Sequence, residues 1–270
     1  MLKKLTPHIS PHPSPLPQGA RETVKPAFTL AEVLITLGII GIVAVLTIPN
    51  LISSYEEKFI VNKLPEVYSI LNQAYKLARE DYGPISVWNL DSDRDVARAQ
   101  IIDIFTLYMK GWVRCDNSTQ KCVNSVVKDL LGKNTNAAST YNLILANTVK
   151  INFDDTGGFS SYLTMAECDE GCFVDTNNMA NAHTIMVNVT GKSKNAMWGK
   201  DLFLFAILDR GILPYGDVGH GKWRCNPSLE SPSGWWTGAT CAGYVLKHKN
   251  LDYLKCRKGD TAYCNKSYFP

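Results

Sequence analysis

The sequence lacks the short motifs that mark the common classes of enzyme. It has no Gly-x-Ser-x-Gly nucleophile elbow, no phosphate-binding loop ending in Gly-Lys-Ser/Thr, and no Gly-x-Gly-x-x-Gly dinucleotide fingerprint. Histidine is also scarce: beyond residue 27 there are only His183, His220 and His248, and their spacing is not that of paired metal ligands. We therefore expect a protein that is not an enzyme.

Charge is nearly absent from residues 28–52, FTLAEVLITLGIIGIVAVLTIPNLI, in which Glu32 is the one charged residue. As an α-helix, at 1.5 Å per residue, this segment would extend about 37 Å, and the hydrocarbon core of a bilayer is about 30 Å thick. A secretory signal peptide would be cut after its apolar run at small residues, and the match around Ser53 is poor. We predict a transmembrane helix over 28–52. The carboxylate of Glu32 is costly in hydrocarbon and therefore needs a function.

The first 27 residues are rich in proline and positively charged. Six prolines exclude a regular helix there. Four basic residues against one acidic residue account for the whole net charge of +3. Basic residues that flank a membrane segment tend to stay cytoplasmic, so we expect a single-pass protein with a cytoplasmic N-terminus.

The run KPAFTLAE at 25–32, followed by an apolar helix, resembles the processing site of type IV prepilins and type II secretion pseudopilins. The resemblance implies that a prepilin peptidase cuts between Ala27 and Phe28, removes the 1–27 leader and methylates the new N-terminus. It also implies that Glu32 pairs with the N-terminal ammonium of a neighbouring subunit, and that Pro49 bends the helix. The family usually has Gly before the cut, and this sequence has Ala27.

This resemblance implies a structural subunit that is held in the bacterial inner membrane and polymerised into a type IV pilus or a type II secretion pseudopilus. Its partners would be prepilin peptidase, copies of itself, other pilin-like subunits and the assembly machinery. Its head would be periplasmic or would lie on an extracellular fibre. A plain signal anchor would account for the length of 28–52, but for neither the Phe-Thr-Leu start nor Glu32.

Beyond residue 52 the helix is expected to continue to residue 82 as an amphipathic helix. Its apolar residues recur mostly every three or four positions, at Tyr55, Phe59, Leu64, Tyr68, Leu71, Tyr75, Ala78 and Tyr82. Pro65 predicts a kink or a break in this helix, and Gly83-Pro84 predicts its end. A second helix is expected from about Asp93 to Met109, with Gly111 after it.

The hydrophobic period changes to that of strands from about residue 149. Residues 149–153 and 184–189 predict two strands, and 201–208 and 212–216 predict a hairpin closed by Asp209-Arg-Gly211. Residues 149–216 also resemble the heads of pseudopilin-type proteins, in which the helix packs on an antiparallel sheet. We therefore expect an α+β, pilin-like fold: a long N-terminal helix, 28–82, on an antiparallel β-sheet in a head that spans 83–270.

All eight cysteines lie within the predicted head. An even number of cysteines beyond a membrane segment indicates an oxidising compartment and disulfide bonds, although eight cysteines allow 105 pairings. We favour the pairs that are close in sequence: Cys115–Cys122, Cys168–Cys172, Cys225–Cys241 and Cys256–Cys264. A zinc site is disfavoured because the thiols lack the usual two-residue spacing of paired ligands.

Oxygen-bearing side chains in and near the polar loop after residue 189 suggest a second hypothesis, calcium binding. The candidate ligands are Asp175, Asn177, Asn188 and Asp201. Such side chains also stabilise turns in any loop, and turn formation is the interpretation that we favour. Apart from calcium, the sequence predicts no cofactor.

The C-terminal stretch, 222–270, is basic, with eight basic residues against three acidic ones, interleaved with tryptophans and tyrosines. This composition suits single-stranded nucleic acid or an anionic polysaccharide, with candidate contacts at Arg224, Lys255, Arg257 and Lys258. The alternative function is therefore a minor or competence-type pilin whose basic C-terminal region binds DNA or an anionic surface polymer. We favour the simpler interpretation, a disulfide-bonded loop region with solvated lysines.

Overall fold

The computed structural model describes residues 28–115, 122, 126–135, 141–145, 148–154, 183–216, 225 and 238–255. The chain forms two compact units, residues 1–50 and 51–270. The predicted leader lies outside the described residues, as do Cys168, Cys172, Cys256 and Cys264.

Helix α1, Leu30–Tyr82, is the longest element, with 53 residues. Its bounds agree with the predicted helix 28–82, and it continues through Pro49 and Pro65 without a break. Gly83 ends it, with φ +80° and an N–H that donates to the carbonyl of Arg79 at 3.0 Å. A Cβ at Gly83 would lie only 2.8 Å from Val87 Cγ2, so both the backbone angle and the close approach favour glycine.

The remaining elements of the described chain belong to the second unit. Helix α2 begins after Asp93, whose side chain accepts hydrogen bonds from the N–H groups of Asp95 and Val96, as the acidic start of this segment predicts. The elements are α2 (Arg94–Tyr108), α3 (Ala242–His248), β1 (Trp112–Arg114), β2 (Val127–Lys128), β3 (Asn134–Thr135), β4 (Leu143–Leu145), β5 (Lys150–Asp154), β6 (His183–Asn188), β7 (Ala196–Met197), β8 (Leu202–Leu208) and β9 (Gly211–Pro214).

The main sheet has six strands in the order β1-β4-β5-β6-β8-β9, and all neighbouring strands are antiparallel. In its centre, Ile185 of β6 pairs with Phe153 of β5 and with Phe205 of β8. The predicted antiparallel sheet and the β8–β9 hairpin are therefore confirmed. A second sheet, β3-β2-β7, was not predicted, and its β2–β7 pair is parallel.

The larger hydrophobic core lies between the helices and one face of the main sheet. Alternate residues of the central strands, such as Ile185 and Val187, point into it. The face of α1 that enters this core consists of Ile60, Leu64, Val67, Leu71, Ala74, Tyr75 and Ala78. The predicted apolar stripe was therefore wrong at its ends.

The ends of that predicted stripe, Tyr55 and Tyr82, are 71% and 47% exposed. Ile60 and Val67, which the prediction left out, are fully buried. Apart from the adjacent pair Ala74 and Tyr75, the buried positions recur at intervals of three or four residues, and that spacing keeps them on one face of a straight helix. The predicted stripe has a five-residue step between Phe59 and Leu64, which puts Phe59 and Tyr55 off this face, whereas Tyr82 is the last residue of the helix.

The opposite face of the main sheet packs on the small sheet. Met186, Leu202 and Leu204 alternate with the residues of the first core and contact a second cluster that includes Trp198 and Tyr215. Because both of its faces are covered, β8 is buried along almost its whole length. The fold is thus α+β, with helices, main sheet and small sheet in three layers.

Two of the predicted disulfide bonds lie within the described residues, and both are formed. Cys115 bonds to Cys122 and Cys225 bonds to Cys241, with Cα–Cα distances of 5.6 and 4.4 Å. The second bond ties residue 225 to the N-terminus of α3, next to the larger core.

Candidate functional site

The first half of α1 is an apolar helix without a protein partner in the described structure. From Phe28 to Asn50 all side chains are exposed except the half-buried Ala44, and Ile35 and Val45 are 63% and 72% exposed. By length and composition this helix could cross a membrane. An exposed apolar surface of this extent is costly in water, so it requires a lipid or protein environment.

The start of α1 is a capping box formed by Thr29 and Glu32. The N–H and the hydroxyl of Thr29 donate to Glu32 Oε2 at 2.9 and 2.8 Å, and the N–H of Glu32 donates to Thr29 Oγ1 at 3.2 Å. This reciprocal arrangement satisfies two N–H groups at the helix start. It gives Glu32 a structural role that the sequence analysis missed, although the Thr-x-x-Glu pattern was there to be read.

The capping box uses only one oxygen of the Glu32 carboxylate. Within the described chain, Oε1 accepts no hydrogen bond, and both Phe28 and the helix start are exposed. The second oxygen therefore remains available to a cation from outside this chain. Ala27, the other residue of the predicted cut, lies outside the described residues.

In the second unit, Glu56 of α1 joins the loop between β6 and β8 through ion pairs. Glu56 Oε2 lies 2.8 Å from Lys200 Nζ, and Glu56 Oε1 lies 3.3 Å from Lys192 Nζ. Lys192 also lies 3.2 Å from the buried carboxylate of Asp201. Two lysines and two carboxylates thus neutralise one another where the head meets the first turns of α1 that follow residue 52.

The electrostatics of this cluster favour its charged forms. The hydrogen bond from Lys200 lowers the pKa of Glu56, and it outweighs the opposing effect of partial burial. Burial alone would lower the pKa of Lys192, but Asp201 and Glu56 together raise it. Both shifts stabilise the ionised cluster near neutral pH.

The two described calcium candidates, Asn188 and Asp201, are both buried, and their side chains bond to groups of the loop between β6 and β8 and to Tyr141. Asn188 Oδ1 accepts from the N–H of Gly191 at 2.9 Å, and its amide donates to the hydroxyl of Tyr141 at 2.9 Å. Asp201 accepts from the hydroxyl of Thr190 at 2.7 Å. These bonds are the turn-forming role that the sequence analysis favoured. Asp175 and Asn177 lie outside the described residues.

Lys150 is a buried cation that the sequence analysis did not single out. Its ammonium donates to Ser193 Oγ at 2.5 Å and lies 5.4 Å from the ring centre of Tyr141. Burial lowers the pKa of Lys150. Such a desolvated lysine beside a hydroxyl is polar support for the 190–201 loop, since Ser193 belongs to that loop.

A shallow groove of about 270 Å³ lies beside the same part of α1. Its lining residues are Ser54, Glu57, Lys58, Val61, Asn62 and Lys249. Lys249 follows α3 with a left-handed backbone, φ +53°, and so turns the chain back toward α1. The groove was not predicted, because it joins residues about 190 positions apart, as the bond from the N–H of Leu251 to Glu57 Oε1 illustrates.

The other candidate residues from the sequence, the basic C-terminal residues and the histidines, do not come together in one site among the described residues. Lys255 forms an ion pair of 2.5 Å with Asp252, whereas Arg224, Arg257 and Lys258 lie outside the described residues. His183 is buried in β6 and His248 is exposed at the end of α3, while His220 also lies outside the described residues. Among the residues that the structure describes, no group of three or more histidine, cysteine or acidic side chains is arranged to hold a metal ion.

Comparison with known proteins adds one match. Residues 50–266 match a protein-family model described as a family of unknown function (DUF6613). The match covers the second half of α1 and nearly all of the head, and it begins where the apolar half of the helix ends. No curated protein and no solved structure matches the chain.

Proposed function

The chain belongs to this family of unknown function, DUF6613, and from its own residues we propose that it is a prepilin-like structural subunit. In this proposal a prepilin peptidase removes residues 1–27, the apolar half of α1 holds the subunit in the bacterial inner membrane, and the subunits then polymerise. The fibre is a type IV pilus or a type II secretion pseudopilus, whose subunits share the same start signal.

One observation carries the proposal: α1 is a single helix with two halves of different character. Its first half exposes apolar side chains on every face, and its second half buries one face in the core of the head. A subunit that is first held in a bilayer and later packed in a fibre requires both an exposed apolar half and a half that is packed against its own head. The exposed half suits either lipid or neighbouring helices, and the packed half keeps the head attached.

The local structure at Glu32 gives further support. A capping box consumes one carboxylate oxygen and leaves the other without a bond in the described chain. If cleavage occurs before Phe28, the new ammonium lies four residues from Glu32. An ammonium and a carboxylate in hydrocarbon are each costly alone and attract strongly as a pair, so a carboxylate at this place suits pairing between subunits.

The alternative function, capture of DNA or an anionic polymer by the basic C-terminal region, rests on the sequence alone. Of its four candidate residues only Lys255 is described, and Lys255 is ion-paired within the chain. We therefore place the structural role first.

The proposal is tested by the N-terminal mass of the full chain, expressed with and without a prepilin peptidase. We expect a chain that begins with methylated Phe28 only when the peptidase is present. Ala27→Gly should be cut at least as fast, because it restores the residue that the family usually has there. Ala27→Leu should block cleavage, since a bulky side chain does not fit a site that takes Gly or Ala.

A chain that stays intact with the peptidase, even as Ala27→Gly, would overturn the proposal and leave a membrane-anchored domain. Cleavage of wild type and of Ala27→Leu at equal rates would also count against it, because the cut would then not depend on this motif.

A further inference from the structure

The groove beside α1 presents hydrogen-bond donors and positive charge. Lys58 and Lys249 supply two ammonium groups, and Ser54 and Asn62 supply a hydroxyl and an amide. In the described structure none of these four side chains bonds to another protein group. The one acidic residue in the lining, Glu57, has an oxygen that accepts the N–H of Leu251 at 3.3 Å.

Glu57 is the one carboxylate in the groove lining, and the two carboxylates of the neighbouring ion-pair cluster are already compensated. Glu56 and Asp201 are paired with Lys192 and Lys200, at distances of 2.8 to 3.3 Å. Lys194, exposed in the same loop, has no carboxylate partner among the described residues. The groove lining therefore has two ammonium groups, from Lys58 and Lys249, against the single carboxylate of Glu57, and keeps an excess of positive charge.

The position of the groove along α1 is set by the length of the helix. Ser54 and Lys58 follow Ile52 by two and six residues, or about 3 and 9 Å along the helix axis. The polar headgroup layer of a bilayer extends about 5 to 8 Å beyond its hydrocarbon core. Because helical side chains lean toward the N-terminus, the Lys58 ammonium reaches back into that layer if 28–52 spans the membrane.

We propose that this groove binds the phosphate of an anionic phospholipid headgroup, such as phosphatidylglycerol. The inference rests on the proposed function, since it requires the apolar half of α1 to lie in a bilayer. Two lysines attract the phosphate as point charges, while the hydroxyl and the amide donate to its oxygens. A zwitterionic headgroup fits less well, because its own cation meets the two ammonium groups.

One of the two lysines in the groove lining comes from sequence far beyond the membrane segment. Lys249 follows Ile52 by more than 140 residues, so it lies outside the flank whose charge sets membrane orientation. It reaches this groove only after the head has folded. The site is thus a property of the folded head, compatible with a head on the outer side of the membrane.

The test uses the full chain in nanodiscs of equal parts phosphatidylcholine and phosphatidylglycerol. Native mass spectrometry of the released protein measures which lipid remains bound. We expect phosphatidylglycerol to be retained in preference to phosphatidylcholine. Each lysine near an anionic surface strengthens association about fivefold, so Lys58→Gln with Lys249→Gln should reduce this preference about 30-fold. The matched control, Lys110→Gln with Lys133→Gln, removes the same charge from exposed lysines elsewhere on the head and should keep it.

Equal retention of both lipids by the wild type, or an equal loss in both double variants, would overturn the inference. Retention of added inorganic phosphate without lipid would overturn the lipid assignment in favour of a soluble anion. A chain that does not co-elute with nanodiscs at all would overturn the proposed membrane function as well. A chain that co-elutes but shows no lipid preference would overturn only the inference.

Discussion

Replacement of Glu32 by Gln separates the two roles that this side chain has in the structure and in the proposal. Gln keeps a side-chain oxygen that accepts from the N–H and hydroxyl of Thr29, so the capping box remains. It removes the negative charge that would pair with an ammonium of another subunit. Replacement by Ala removes both, and so serves as the reference.

The two effects differ enough in size to be told apart. The capping box involves two hydrogen bonds from Thr29 to Glu32, at 2.9 and 2.8 Å, at a fully exposed helix start where water competes for both groups, so its loss alone should change assembly only slightly. Two unit charges about 4 Å apart attract by about 4 kcal/mol at an effective dielectric constant of about 20, which is about 1000-fold. If pairing dominates, Glu32→Gln should therefore lose nearly as much assembly as Glu32→Ala.

The assay compares subunit in a sheared fibre fraction with subunit left in the membrane, in cells that carry the peptidase and the assembly machinery. N-terminal mass establishes that each variant is cut, and far-UV circular dichroism establishes that the helix is kept. Assembly of Glu32→Gln at the wild-type level, with a loss only in Glu32→Ala, would refute the pairing argument. Glu32 would then serve only to start the helix.

Three further predictions concern the head, and urea unfolding in detergent followed by tryptophan fluorescence checks each of them. Leu71→Ala should lower the free energy of unfolding by about 3 kcal/mol because Leu71 is fully buried, whereas Leu77→Ala, 44% exposed on the same helix, should change it by less than about 1 kcal/mol; equal effects would contradict the assigned buried face. Glu56→Gln should cost at most about 1 kcal/mol at pH 7, because the Lys200 bond lowers the pKa of Glu56, and the difference from wild type should shrink as the pH falls from about 4.5 through that lowered pKa; a cost that stays constant between pH 7 and pH 2 would exclude the ion pair as its cause. Replacing Cys225 and Cys241 by Ser should cost about 3 kcal/mol for a sequence separation of 16, and a reductant should then have a smaller effect on the variant than on wild type.

The parts of the fold that follow from local pattern were predictable. Helix α1 was found within two residues because its first half is uniformly apolar and its second half has a mostly helical apolar period, and β6 and β8 were found because they are long and rich in β-branched and aromatic residues. Strands β2, β3 and β7 have two residues each, which is too short to show a period. They pack on the far face of the main sheet, and this contact joins segments that are distant in sequence, so no local pattern predicts it.

The features of the candidate site also divide into those that a local sequence pattern shows and those that depend on tertiary packing. The apolar segment and the Thr29–Glu32 pattern are readable along the chain, although the sequence analysis assigned only assembly to Glu32 and missed the cap. The pairing of Glu56 with Lys192 joins residues 136 positions apart, and the groove at Lys249 depends on a left-handed residue after a seven-residue helix. Both follow from packing rather than from spacing, so no local pattern signals them.

The way in which α1 meets the last strand has a mechanical consequence. Tyr68 donates its hydroxyl to the carbonyl of Ile212 at 3.0 Å, and Asn72 accepts the N–H of the same residue at 3.3 Å, so the helix occupies the edge of β9. A pull along α1 would load these bonds and the buried face from Ile60 to Ala78 in shear, where many contacts must give way together rather than one at a time. If the chain assembles into the proposed fibre, the head would therefore resist being pulled off its helix when the fibre is under tension.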